Sequence, residues 1–136
     1  MIQVIAGKKG SGKTKRLLQM TNDLAKSTKG DLVFVDVDNR YMYDVDRSVR
    51  FVNVEEYHVD TTPMFVGFLC GMLSQNFDIA TVFVDGFRKL VKEDISELEG
   101  VFKTLEELGK KHSVDFVLSV SEDPEALPSF MKNCVI

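Results

Sequence analysis

The chain has no tryptophan, three prolines, two cysteines and two histidines in 136 residues. Each shortage excludes something. Cys70 and Cys134 lie far apart and form no CxxC pair, which excludes a disulfide framework and a cysteine-rich zinc site. His58 and His112 do not supply the missing ligands. The two cysteines read as free core thiols in a reducing compartment. Long apolar runs are also lacking. The longest, PMFVGFLCGML at 63–73, is about half of what a bilayer crossing needs. No charged segment with an apolar stretch precedes the first strand-like residues, so no secretory signal is visible and a cytoplasmic location is expected. Repeats, low-complexity stretches and Pro/Gly/Ser-rich linkers are absent, which reads as one domain over 1–136. There is no excess of positive charge either. The formal net charge is −4, so a nucleic-acid partner is not indicated.

What is present is a regular alternation. Ile2 and Val4 belong to a first strand ending at 4–6. Leu17, Leu18, Thr21, Leu24 and Ala25 lie on one face of a helix, with Gly30 placed to terminate it. DLVFVDV (31–37) and IATVFVD (79–85) are continuous apolar runs of the kind buried on both faces of a sheet. VRFVNV (49–54) is a shorter strand. Thr62 is placed to N-cap a helix over 64–73 with Pro63 at its first position. Asp94 and Glu97 form a capping box for a helix carrying Ile95, Leu98, Phe102, Leu105 and Leu108. VDFVLSV (114–120) is a further strand, and NCVI (133–136) a last short one. Strands alternating with helices predict an α/β three-layer sandwich with a mainly parallel sheet. Ligands of such sheets sit at the carboxyl ends of the strands. That rim gathers the opening loop, the DVDNR turn, Asp85 and the SVSED turn.

Positive charge is concentrated in one place. Lys8, Lys9, Lys13, Lys15 and Arg16 form the one dense basic cluster, in and just after the opening loop. Clustered cations repel one another and glycine is costly to order, so a negative ligand is expected there. GKKGSGKT, Gly7 to Thr14, has the P-loop spacing G-x-x-x-x-G-K-[ST]. Glycines allow positive φ and let backbone N–H groups turn inward, where a helix N-terminus adds its dipole. The candidate phosphate-binding residues are therefore Gly7, Lys9, Gly10, Ser11, Gly12, Lys13, Thr14 and Lys15. Lys13 would bridge the β- and γ-phosphate oxygens, and the Thr14 hydroxyl would bind Mg²⁺. At average residue usage, chance yields this pattern in roughly one chain of this length in 200; the strand before it and the helix after it narrow that further. The implied ligand is ATP or GTP with Mg²⁺.

Over most of its length the chain resembles the P-loop NTPases. The resemblance implies a second motif, an apolar strand ending in Asp that supports the metal. TVFVD, Thr81 to Asp85, matches it and makes Asp85 the second candidate metal-site residue. Strands at 32–37 and 51–54 separate the two motifs, and another strand follows Asp85. This looks like the RecA-like branch, in which a further strand lies between the P-loop strand and the Asp-bearing strand. DVDNRY, Asp36 to Tyr41, is also similar to the corresponding turn of bacterial thymidine kinases. That family adds a zinc-bearing lasso, which nothing here can build, and places Glu where this chain has Gly86. Secretion and pilus-retraction ATPases have a similar P-loop but need a larger chain. RecA-like enzymes often take a water-orienting carboxylate from the end of the strand after the P-loop helix. That points to Asp36 or Asp38, with Glu122 on the same rim, so Lys13, Asp36 and Asp38 form the candidate catalytic set.

Other features have two readings each. Arg40, Arg47 and Arg88 are candidates for a cation on the γ-phosphate, or are solvated surface residues. Ser119 or Ser121 can sense that phosphate, or make ordinary strand-end hydrogen bonds. Gly67 and Gly71 suit a helix packed tightly on the sheet, or a homo-oligomer or protein-partner surface over 63–73. Three functions follow. The first is a slow or partner-activated ATPase or switch. The second is a small-molecule kinase whose lid and acceptor pocket come from 38–60, with Arg40, Tyr41, Tyr43, Arg47 and Tyr57. The third is a non-catalytic, nucleotide-dependent interaction module.

Overall fold

The computed structural model describes residues 1–136. Five strands form one sheet: β1 (Ile2–Gly7), β2 (Asp31–Asp36), β3 (Arg50–Asn53), β4 (Ile79–Val84) and β5 (Asp115–Ser121). Their order is β1-β5-β4-β2-β3, and every neighbouring pair is parallel. The helices are α1 (Lys13–Ala25), α2 (Thr62–Gln75), α3 (Phe87–Leu90), α4 (Glu99–His112) and α5 (Ser129–Lys132). The architecture is α/β, an all-parallel five-stranded sheet with helices packed on it, and β5 lies between β1 and β4.

Side chains alternate across the strands, so each face has its own core. Ile5, Phe34, Phe83 and Val117 meet Leu17 of α1 on one face. Val4, Val35, Val84 and Leu118 meet Phe65 and Leu69 of α2, Phe102 and Leu105 of α4, and Phe87 of α3 on the other. β2 is buried at every residue after Asp31, as its unbroken apolar run requires. No helix is long and apolar enough to cross a membrane.

Several local expectations are corrected. The N-cap of α2 is Thr61, whose hydroxyl oxygen accepts from the Met64 N–H at 3.3 Å. Thr62 is instead the first helical residue, and its hydroxyl donates to the Glu93 carboxylate. Asp94 caps only a short 3-10 turn, Ile95–Glu97, and α4 begins at Glu99. The tail forms no strand. It makes a single bridge, Val135 with Val4, beside the outer edge of β1. Cys134 is partly buried, and burial pushes its thiol pKa up, but Cys70 is exposed on α2 and is not a core thiol.

Gly30 does not stop α1, which ends at Ala25. It is small because the chain passes β4 there: a Cβ on Gly30 would lie 2.7 Å from the Asp78 carbonyl oxygen and 2.8 Å from Ala80 Cβ. A Cβ on Gly67 would meet nothing within 4 Å. Gly30→Ala is therefore expected to cost about 1–3 kcal/mol through overpacking, whereas Gly67→Ala should gain up to about 1 kcal/mol in a helix interior. Urea midpoints of the two variants check this; equal midpoints would refute the close approach at Gly30.

Candidate functional site

The ladder register builds the site. Val84 of β4 is paired with Val35 of β2 and with Leu118 of β5. The next residue of each strand reaches the carboxyl rim at the same level, which brings Asp36, Asp85 and Ser119 together. The loop after β1 opens on this rim, because β1 lies beside β5.

The loop itself turns on three glycines. Gly10 and Gly12 have φ of 83° and 91°, a region that suits glycine. A Cβ on Gly7 would lie 2.4 Å from Ser11 Oγ, so the loop closes over that position only without a side chain. Lys13 is the first residue of α1, and its Nζ donates to the Lys8 carbonyl at 3.0 Å. The lysine head thus lies over the loop, where it can exchange a carbonyl for an anion.

Behind the loop, Thr14 Oγ1 donates to both oxygens of Asp85, at 3.2 and 3.0 Å. Ser119 Oγ donates to Asp85 Oδ1 at 2.6 Å and accepts from the Gly86 N–H at 2.9 Å. Asp85 is buried, and its own N–H donates to Val35 O. The carboxylate is therefore held by two hydroxyls, one from each neighbouring structural unit. Asp36 is different. One oxygen accepts from the Val37 N–H at 2.7 Å, and the other, Oδ2, is buried without a partner. Desolvation, with a smaller contribution from the Asp85 charge, pushes its pKa from 3.8 up to about 7 against the Val37 hydrogen bond.

Lys9, Lys13, Thr14, Asp36, Asp38 and Asp85 line one cleft of about 330 Å³, together with Arg40, Tyr41, Gly86, Arg88, Lys89, Ser119 and Ser121. Most of the residues expected from sequence are thus on one wall-to-floor surface. Asp38, though on that surface, accepts from the Arg40 N–H at 2.9 Å and shapes its own turn. Others are not on it: Gly7, Gly10, Ser11 and Gly12 do not line the cleft. Lys15 is exposed and lines a neighbouring hollow with Leu18 and Asp44. Arg47 and Glu122 are not among the cleft's lining residues. Within 38–60, Tyr43 is 91% exposed, and Tyr57 packs on Phe68 at 5.5 Å, on the far side of the sheet edge. Of the lid's five named side chains, Arg40 and Tyr41 alone line the cleft. Lys89 is a cleft residue that sequence reasoning missed. Its signal was the Gly86 turn, which brings a residue four positions beyond Asp85 back over the rim.

No group of three or more His, Cys, Asp or Glu side chains converges as a metal cage. The donor set at the loop is of another kind: a threonine hydroxyl and one carboxylate, the oxygen ligands of a hard cation that keeps most of its waters. A larger hollow of about 670 Å³ lies between α2 and the β2–β3 edge, lined by Leu32, Val52, Phe68 and Met72. It is mostly apolar and holds none of the candidate site carboxylates.

No protein-family model matches the chain, and no curated protein matches it in sequence. Among solved structures it is similar to domain III of the Thermotoga maritima replication initiation protein DnaA, at 13% identity and a TM-score of 0.43. The alignment covers 97% of this chain and 50% of that one, so this chain spans about half the length of that structure.

Proposed function

We propose that the cleft binds a Mg-nucleoside triphosphate, ATP or GTP, and that residues 1–136 form one nucleotide-binding unit acting as a slow or partner-activated NTPase or switch. The observation that carries this is the hydrogen bond from Thr14 to Asp85, which joins the two motifs across 71 residues of sequence. A hydroxyl at the start of α1 and a carboxylate at the end of β4 have no packing reason to meet at a polar rim. They do have a reason if both serve one cation beside a phosphate. Bound Mg²⁺ would neutralise charge on the β- and γ-phosphate oxygens.

In this reading the backbone from Gly7 to Thr14 cradles the phosphates, with Lys9 and Lys13 as cations. Ser119 fixes the Asp85 carboxylate. Asp36 orients the attacking water and takes its proton, and Asp38 shapes the turn beside it. The position of β5 between β1 and β4 supports the RecA-like branch. A kinase is less favoured, since Tyr43 and Tyr57 face away from the cleft. The outward face of α2 within 63–73, where Met64 is 43% exposed, is the surface left for a second copy or a protein partner.

The test is thermal stability with Mg-ATP and Mg-GTP. A ligand at about 100 times its Kd adds about 2.7 kcal/mol, and a saturable rise in Tm with one or both is expected. No rise with either would refute the proposal. Turnover by the isolated protein should stay below about 1 s⁻¹, at or under the low end of enzyme rates. Gly86 stands where a second carboxylate would help orient water. Steady-state phosphate release across protein concentrations checks this; fast, concentration-independent turnover would show the catalytic set to be complete in one chain.

A further inference from the structure

Lys89 lies on the turn that follows Asp85. Gly86 has φ 67° and ψ 40°, and from it the chain turns into α3. The turn is nailed to the core: Phe87, Leu90 and Val91 are buried, and Phe87 packs edge-on against Phe65 and Phe102. Lys89 N–H donates to Gly86 O at 2.8 Å, which fixes where the lysine stem starts. That stem runs over Gly86, its Cδ 3.5 Å from where a Gly86 Cβ would be. A residue with a Cβ at 86 would be strained at this φ and would crowd the lysine. Lys89 lines the cleft with Lys13, Thr14, Asp36 and Asp85.

Its neighbours are committed and Lys89 is not. Arg88 Nη1 donates to the Glu93 carbonyl at 2.6 Å and so braces its own loop. The protein's four ion pairs all lie elsewhere, and Lys89 makes no side-chain hydrogen bond. Its charge is nonetheless felt at the cleft floor, where it lowers the Asp36 pKa against the larger effect of burial. Arg40 also lines the cleft, but from an exposed turn.

We propose that Lys89 is a further cation of the phosphate site, outside the loop, pairing in cis with the terminal phosphate of a bound nucleoside triphosphate. This rests on reading the cleft as a triphosphate site. Lys13 follows β1 and Lys89 follows β4, with β5 between them, so the terminal phosphate is approached by cations from two separate strand ends. A diphosphate leaves Lys89 without a partner. The residue therefore acts on the choice between triphosphate and diphosphate, and the chain places a cation-bearing turn where a carboxylate would follow Asp85.

Affinities for a Mg-bound non-hydrolysable ATP analogue and for Mg-ADP, measured by calorimetry, test the proposal with the GTP pair run alongside. Lys89→Gln should weaken triphosphate binding roughly 10- to 100-fold, the range of one charged hydrogen bond, and change diphosphate binding by less than about threefold. Lys89→Arg should restore most of the difference, and Arg40→Gln should produce little of it. Lys89 is exposed, so circular dichroism of the variants should match the wild type. An unchanged triphosphate-to-diphosphate ratio in Lys89→Gln, with wild-type binding intact, overturns the Lys89 assignment alone. Failure of the wild type to bind either nucleotide overturns the triphosphate reading and this proposal together.

Discussion

Lys13→Ala is expected to remove measurable Mg-nucleotide binding while leaving the fold intact. The one hydrogen bond this ammonium makes is to the Lys8 carbonyl, at 3.0 Å in an exposed loop. Losing it takes nothing from either apolar core. A bound triphosphate would give the same ammonium charged oxygens on two phosphate groups. Charged hydrogen bonds are worth about 1.5–3 kcal/mol each, so two of them correspond to a loss of affinity of about 100-fold or more. Calorimetric titration of the variant, with a urea unfolding curve beside it, separates the two effects. Wild-type affinity in Lys13→Ala would move the site elsewhere. Lost affinity together with lost stability would make the lysine structural.

Asp36→Asn is expected to slow hydrolysis by about 10²–10⁴, the usual worth of a positioned base, and to change nucleotide affinity little. Asp36 Oδ2 is enclosed without a partner, and Asp85 is its neighbour on the adjoining strand. An uncharged side chain would suit that place better, so a carboxylate there is held at some cost to the fold. The sign follows from linkage. The folded pKa, about 7, is above the ordinary 3.8. The folded protein therefore holds the proton more tightly, and that contribution is full below about pH 4 and lost as pH rises through about 7. In the metal-free protein, Asp36→Asn should raise Tm more at pH 8 than at pH 4. A variant that is both slower and more stable at high pH marks Asp36 as a working group. A variant that is equally stable at both pH values would show that the carboxylate is not strained by its surroundings, and unchanged turnover would remove it from the catalytic set.

The two halves of the site were not equally legible in the sequence. The loop was, because its parts are consecutive: Gly7, Gly10, Gly12, Lys13 and Thr14 carry the spacing, and their geometry depends on local backbone alone. Asp36 and Asp85 were legible as strand ends, since unbroken apolar runs have a clear last residue. That they stand side by side depends on strand order, which no single segment states. Lys89 was hidden for the same kind of reason. Its place over the cleft comes from the left-handed Gly86 and from Phe87 seating between Phe65 and Phe102, contacts made with α2 and α4. The caps fall one residue from expectation at Thr61, where adjacent threonines offer the same chemistry, and four at α4, whose N-cap Leu98 makes no side-chain bond. Cys70 was misjudged because α2 is apolar almost all round, yet only one of its sides meets the sheet.

Whether a nucleoside triphosphate sits on the loop from Gly7 to Thr14 is read from backbone amide chemical shifts of the ¹⁵N-labelled protein during titration with Mg-ATP and with Mg-GTP. Saturable shifts are expected, largest at Gly10, Ser11, Gly12, Lys13 and Thr14, with Gly86 and Lys89 moving at the same ligand concentration. Shifts absent from the loop with both nucleotides, or centred instead on Val52, Phe68 and Met72 in the apolar hollow, would contradict binding there.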